Sequence, residues 1–158
     1  MNVKLVFKVL GHILRIESVF LLLPAMVALI YGESPLPFLV TALLLLCVGQ
    51  GLCRLKTSPH FFTREGFVAV GLIWFPTCLF GALPFWFSGS FPSFVDCVFE
   101  SASGFTTTGA SILTNIEAMP RGVLFWRSFT HWLGGMGVLV LATAVLPSMG
   151  IRPHYLTQ

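Results

Sequence analysis

The sequence predicts an all-α polytopic membrane protein: four transmembrane helices, with one short re-entrant helix and loop between the third and the fourth. Three observations carry that expectation. The chain is 56% apolar and only 9% charged, with a mean hydropathy of +0.89, far from the average of soluble domains. Its apolar runs are broken by short segments holding Gly, Pro and the few charges. One polar stretch, residues 93–111 (SFVDCVFESASGFTTTGAS), interrupts the apolar second half.

Taken in order, Lys4, Lys8 and Arg15 precede any acid, and the first span is expected over about 9–31. A basic start before an apolar run also fits a secretory signal. No A-x-A cleavage site follows, however, and the apolar stretch extends back through Val9 and Leu10. Pro24 is expected to kink this helix, which neighbouring helices accommodate in a membrane. Glu17 is expected at the interface, its carboxylate reaching water. Gly32, Glu33, Ser34 and Pro35 read as a tight turn. The second span, about 36–53, ends in a basic cluster of Arg54, Lys56, His60 and Arg64. The third covers 66–87, roughly 33 Å at 1.5 Å per residue and long enough to cross, with Pro76 and Pro84 interrupting it. Ser88, Gly89 and Ser90 make a turn. After the polar stretch, residues 113–119 return to the surface, Pro120 stands at a helix start, and the last span runs over 122–146 until Pro147 ends it.

The polar stretch begins with a helix-start signature, Ser93 as cap and Asp96 at the positive end of the dipole. A helix over 94–103 is roughly 15 Å long, half a bilayer. Residues 104–111 then read Gly-Phe-Thr-Thr-Thr-Gly-Ala-Ser. Irregular backbone at membrane depth survives only where protein buries it or a water-filled cavity meets it, so a re-entrant pore loop is expected. The helix would aim the negative end of its dipole and its orphan carbonyls beyond its end. An extended Thr-Thr-Gly segment can then replace a cation's hydration shell with carbonyl oxygens. Gly109 supplies the backbone freedom. With neither thiolate nor imidazole on offer, the ligand set is hard oxygen and suits an alkali cation.

Charge placement sets an expected orientation. Lys4, Lys8, Arg15, Arg54, Lys56, Arg64 and Arg152 fall on one side of this topology, which the positive-inside rule makes cytoplasmic together with the N-terminus. Glu33, Asp96, Glu117 and, at membrane depth, Glu100 fall on the other side, against Arg121 and Arg127, where a net acidic face would concentrate cations; singly, each acid reads equally as a solvated loop charge. Tyr31, Trp86 and Trp126 are expected to mark the outer interface. Arg127 lies one turn inside the last span, where a lone charge is costly and needs a partner. Glu100 on the pore helix is available, and a brace between the two helices is preferred to a gating role. Gly134, Gly135 and Gly137 are expected to serve close helix packing, or to give a flexible inner helix. His131 reads as a hydrogen-bonded packing residue rather than a proton relay.

Cys47, Cys53, Cys78 and Cys97 lack C-x-x-C spacing and read as small apolar residues. No phosphate-binding or dinucleotide-binding loop and no basic-aromatic face for nucleic acid occurs in the sequence. Ser103 with His131 is a distant match to a serine–histidine pair, but the glycine of a G-x-S-G pattern is replaced by Ser101.

The run FESASGFTTTGAS, with REGFVAVGLIWFPTCLFGALPF before it and FWRSFTHWLGGMGVLVLATAVLP after it, closely resembles the N-terminal part of the Trk-type potassium-uptake membrane subunits (the TrkH/TrkG/KtrB family). The resemblance spans essentially the whole chain. It implies a two-helix lead-in over 1–60 and, over 61–158, the first of four helix–pore loop–helix repeats around one pore. It also implies that TTTGA is the first of four filter segments, binding potassium through the backbone carbonyls of Thr106, Thr107, Thr108, Gly109 and Ala110. Gly109 falls on the filter glycine associated with potassium preference. Further implications are transport rather than catalysis, no cofactor beyond the transported ion, a homodimer in the bacterial inner membrane and a cytoplasmic nucleotide-binding regulator. With one repeat of four, the chain is expected not to form the pore alone. The alternatives are a non-conducting truncated membrane protein that pairs with a full-length relative, or an intramembrane serine hydrolase.

Overall fold

The computed structural model describes residues 3–55 and 63–145. The expected basic positions Lys56 and His60, Pro147, and the chain end with Arg152 and His154 lie outside them. Among the described residues every regular element is a helix and none is a strand: α1 (Val3–Phe20), α2 (Leu22–Ile30), α3 (Leu36–Cys53), α4 (Thr63–Gly81), α5 (Leu83–Phe87), α6 (Phe94–Phe105) and α7 (Arg121–Val145). Two stretches are long and apolar enough to cross a bilayer, Val6–Ile30 and Leu36–Cys53, and Gly71–Phe87 is a shorter apolar one. Where the fourth span is expected the chain forms α7, a helix of 25 residues that extends roughly 37 Å.

The first apolar run is one kinked helical stretch. Pro24 lacks an N–H and its ring crowds the carbonyl one turn back, so the helix breaks at Leu21 between α1 and α2. Bonds from Leu21 N to Glu17 O (3.0 Å) and from Ala25 N to Leu21 O (3.3 Å) carry the helical path through. Gly32 closes α2 in the left-handed region at φ 72°, and Glu33 N reaches back to Ala28 O (2.8 Å), the bonding of a Schellman end. The chain then reverses, and α3 returns along α1. Their closest approach is at Gly11 and Gly49, where a Cβ on either residue would come within 2.9 or 2.8 Å of the other's carbonyl oxygen. Backbones that close need small residues, the usual device of membrane helix pairs.

The two prolines of the third apolar run act differently. Pro76 stays inside α4, with the Thr77 hydroxyl donating to Ile73 O (2.9 Å) beside it. Pro84 sits in the first turn of a new helix, α5, and the break falls at Ala82. Gly89 then turns the chain at φ 65° into α6.

Three placements differ from the sequence reading. Trp126 is fully buried rather than interfacial, and its indole N–H donates to Gly81 O (3.0 Å); the ring is the largest side chain in the core. Glu17 is 3% exposed and does not reach water, because α1, α4 and α6 meet around it. Glu33 is not a loose surface acid. Its Oε1 accepts from Arg121 N (2.7 Å) and its Oε2 from Gly122 N (2.9 Å). Pro120, ahead of α7, has no side chain to satisfy those orphan donors, so the lead-in turn supplies the cap from 88 residues away.

Glu33→Ala removes that cap. Loss of a capping side chain costs about 1 kcal/mol and up to about 2, here with the loss of carboxylate–dipole attraction. The expected outcome is a lower unfolding midpoint in detergent, with faster hydrogen exchange at the Arg121 and Gly122 amides and little change within α3.

Candidate functional site

The site is built from the C-terminal half of α6, the irregular segment 106–120, and α7. Ser93 takes an extended backbone (φ −133°, ψ 145°) and its side chain accepts from Val95 N (3.2 Å), with Asp96 in the first turn. That local chemistry starts α6 where the sequence places it. The helix ends two residues later than expected, at Phe105. The reason is the threonine run itself. Thr106 N and Thr106 Oγ1 both donate to Ala102 O (2.9 and 2.7 Å). Thr107 adopts φ 55°, so its N–H meets Gly104 O (2.9 Å) and Thr108 N meets Ser103 O (3.0 Å), a Schellman closure with threonine in the position glycine normally takes. Gly104 and Phe105, expected in the loop, are therefore helical, and the carbonyls of Ala102, Ser103 and Gly104 are engaged by the chain's own N–H groups instead of standing open.

Residues 106–110 are all exposed. Thr106 and Thr108 hydroxyls lie 2.8 Å apart, and Gly109 turns the backbone at φ 77°. The Ser103 hydroxyl donates to Ala110 O (2.5 Å), so one of the five expected ligand carbonyls already has a partner. The negative end of the α6 dipole faces this segment.

Glu100 holds the back of the loop. It is 1% exposed and gathers donors from two other elements. The Ser111 hydroxyl lies 2.9 and 3.1 Å from its two oxygens, Ile112 N donates to Oε2 (3.3 Å), and Arg127 Nε donates to Oε1 in an ion pair. The carboxylate thus ties α6, the chain leaving the loop, and α7 to one point.

The glycines expected to serve packing divide. Gly134 lies against the backbone of Phe105, with no space for a Cβ, and Gly137 against the Trp74 ring (3.1 Å). Gly135 would meet only Thr107 Cγ2, at 3.9 Å. Gly104 on α6 lies against Thr130 of α7, whose hydroxyl is turned onto Arg127 O (2.7 Å). On the other side of α6, the Ser101 hydroxyl donates to Cys78 O on α4 (2.7 Å).

His131 Nδ1 is 2.8 Å from Arg127 O and Ser103 is committed to Ala110, so the two residues of the hydrolase alternative do not form a pair. The four cysteines are free thiols. No group of three His, Cys, Asp or Glu side chains able to hold a metal ion occurs among the described residues. Sequence reasoning missed Ser111, Ser101 and Thr130. A signal existed for Ser111, since a buried carboxylate needs more donors than one guanidinium nitrogen.

Residues 37–158 match the family described as TrkH, cation transport protein. The chain is 36% identical over 161 residues to the Trk system potassium uptake protein TrkG of Escherichia coli, covering 99% of this chain and 33% of that protein. It is 38% identical over 157 residues to the Trk system potassium uptake protein TrkH of Vibrio parahaemolyticus, with 96% and 32% covered. An uncharacterized cation transporter of Methanocaldococcus jannaschii is 37% identical over 152 residues, again with 96% and 32% covered. The chain thus spans about a third of the length of these relatives.

The Glu100 cluster yields a stability prediction. Arg127→Met leaves a buried carboxylate without its counter-charge, a change that costs about 3–5 kcal/mol where such pairs are broken. Adding Glu100→Gln removes the stranded charge and recovers most of that loss. Thermal unfolding of the two variants in the same detergent separates them.

Proposed function

The chain belongs to the TrkH cation transport protein family, which is a transporter family and not an enzyme family, and on that premise we propose that it supplies one quarter of a potassium-conducting filter. In this reading α6 is the pore helix, entering to half the depth of the bilayer, and 106–110 is the filter segment. The backbone carbonyls of Thr106, Thr107, Thr108, Gly109 and Ala110 face the ion path and replace part of the hydration shell of K⁺. Residues 1–60 are the lead-in, residues 61–158 a helix–pore loop–helix unit, and α4 with α5 and α7 its two spans.

One observation carries the proposal. A twelve-residue helix capped at Ser93 ends at an exposed Thr/Gly segment that Glu100 fixes from behind. Such a loop is held at its base and exposed at its tip, which leaves the carbonyls of Thr106, Thr107, Thr108 and Gly109 to meet an ion while Ala110 O also accepts from the Ser103 hydroxyl. The curated relatives named for potassium uptake support K⁺ as the cargo. The distribution of basic residues supports a cytoplasmic N-terminus in the bacterial inner membrane, with the filter opening outward. A homodimer and a nucleotide-binding cytoplasmic partner complete the proposal.

The test uses liposomes. A chimaera in which this chain replaces the matching third of Escherichia coli TrkG is expected to take up rubidium, and the 158 residues alone are not, since a ring of ligands needs loops from four sides. In the chimaera, Gly109→Ser forces a Cβ into the left-handed region, which costs about 1–2 kcal/mol. The expected result is a roughly tenfold loss of potassium over sodium preference, one factor of ten per 1.4 kcal/mol. Unchanged selectivity in an active chimaera rejects the filter assignment.

A further inference from the structure

Glu17 lies eleven residues into the apolar span Val6–Ile30, roughly 16 Å along its axis and so near mid-bilayer. It is 3% exposed, and neither carboxyl oxygen has a hydrogen-bond partner among the described residues. The carboxyl faces a notch at Gly81 on α4. A Cβ built there would stand 3.2 Å from Glu17 Oε1, 2.9 Å from Ser101 Oγ and 2.5 Å from the Phe105 ring. The group therefore sits beneath the C-terminal half of α6, beside Ser101 and Phe105.

Among the described residues, the hydroxyl and indole donors nearest it are committed elsewhere. Ser101 donates to Cys78 O, Trp126 donates to Gly81 O, and the Ser18 hydroxyl donates to Arg15 O. Charged and titratable groups on the surrounding elements do not meet it with an opposite charge. On α1, Arg15 reaches towards Cys53 Sγ (4.0 Å), and His12 is exposed. α2 has no titratable side chain, and α3 has only the thiols of Cys47 and Cys53. Over the residues of α4 whose side chains are described, Cys78 is the one titratable group. On α6, Glu100 is joined to Arg127; Asp96 lies in the first turn, and Cys97, buried, one residue after it. On α7, Arg127 is so engaged, His131 is bonded to Arg127 O, and Arg121 is exposed.

An ionised carboxylate with neither donor nor counter-charge is among the costliest things an apolar interior can hold, whereas the neutral acid is tolerated. We propose that Glu17 is a proton-binding site beneath α6: a proton taken from water forms an O–H on one carboxyl oxygen, and the folded chain in lipid carries that acid at neutral pH. Releasing the proton would set a bare charge against the Phe105 ring and the α4 backbone. The site thereby links proton occupancy to the seating of the helix that ends in the Thr/Gly segment. This inference does not depend on what the loop conducts.

Infrared spectroscopy of the 158-residue chain in phospholipid vesicles tests it. At neutral pH the unsubstituted chain is expected to show the C=O stretch of a protonated carboxyl, shifted in deuterium oxide. That band is lost in Glu17→Gln and kept in Glu117→Gln, with equal helicity by circular dichroism. Absence of the band in the unsubstituted chain overturns the proposal, as does its persistence in Glu17→Gln. Failure of Glu17→Gln to fold also overturns it, because a neutral amide of the same shape should replace a neutral acid.

Discussion

A single buried carboxylate sets the geometry on which the loop depends. The segment 106–120 has no regular backbone bonding of its own beyond short turns, so its path must be fixed from outside. Glu100 does this because burial leaves it no water and forces it to find donors. It finds them on the chain leaving the loop, at Ser111 and Ile112, and on α7, at Arg127. The threonine closure at the end of α6 fixes the other end of the loop. Between these anchors residues 106–110 stay exposed, held in place by their two ends.

Glycine notches let α6 take that position. Gly104 against Thr130 and Gly134 against the Phe105 backbone bring α6 and α7 to a separation that a Cβ would forbid, and Gly81 does the same between α4 and α6. In a bilayer apolar side chains gain little by leaving lipid, so close packing and hydrogen bonds between helices carry the association. The buried Trp126, bonded to Gly81 and edge-on to Phe105 at 6.4 Å, fills the angle between the three helices. The lead-in contributes in the same way, through the Gly11–Gly49 crossing and the Glu33 cap on α7. Loop placement is therefore a property of the whole assembly of helices.

The features legible in the sequence were those governed by near neighbours or by the cost of a lone charge in lipid. Ser93 caps α6 because its side chain reaches an amide two residues on, and an arginine within the last apolar stretch requires an acid, of which the sequence offers few. What could not be read involved partners distant in sequence or a competition between weak local choices. The extension of α6 through Phe105 turned on whether Thr106 and Thr107 would continue helical bonding, and threonine is compatible with either outcome. Pro76 and Pro84 look alike in the sequence, yet one lies within a helix and the other begins one.

The sequence by itself determined that the chain is helical and apolar enough for a membrane, because hydropathy and periodicity are sums over local residues. It also determined that one polar Thr/Gly stretch stands apart from the rest. Only the tertiary structure decided which acids are buried and by what they are met. Glu33, Glu100 and Glu17 are the same residue type, yet one caps a helix from a half-exposed turn, one is buried and gathers donors, and one is buried with no partner among the described residues. That difference rests on which backbone and side-chain donors lie within about 3 Å of each carboxylate, a distance that no local pattern encodes.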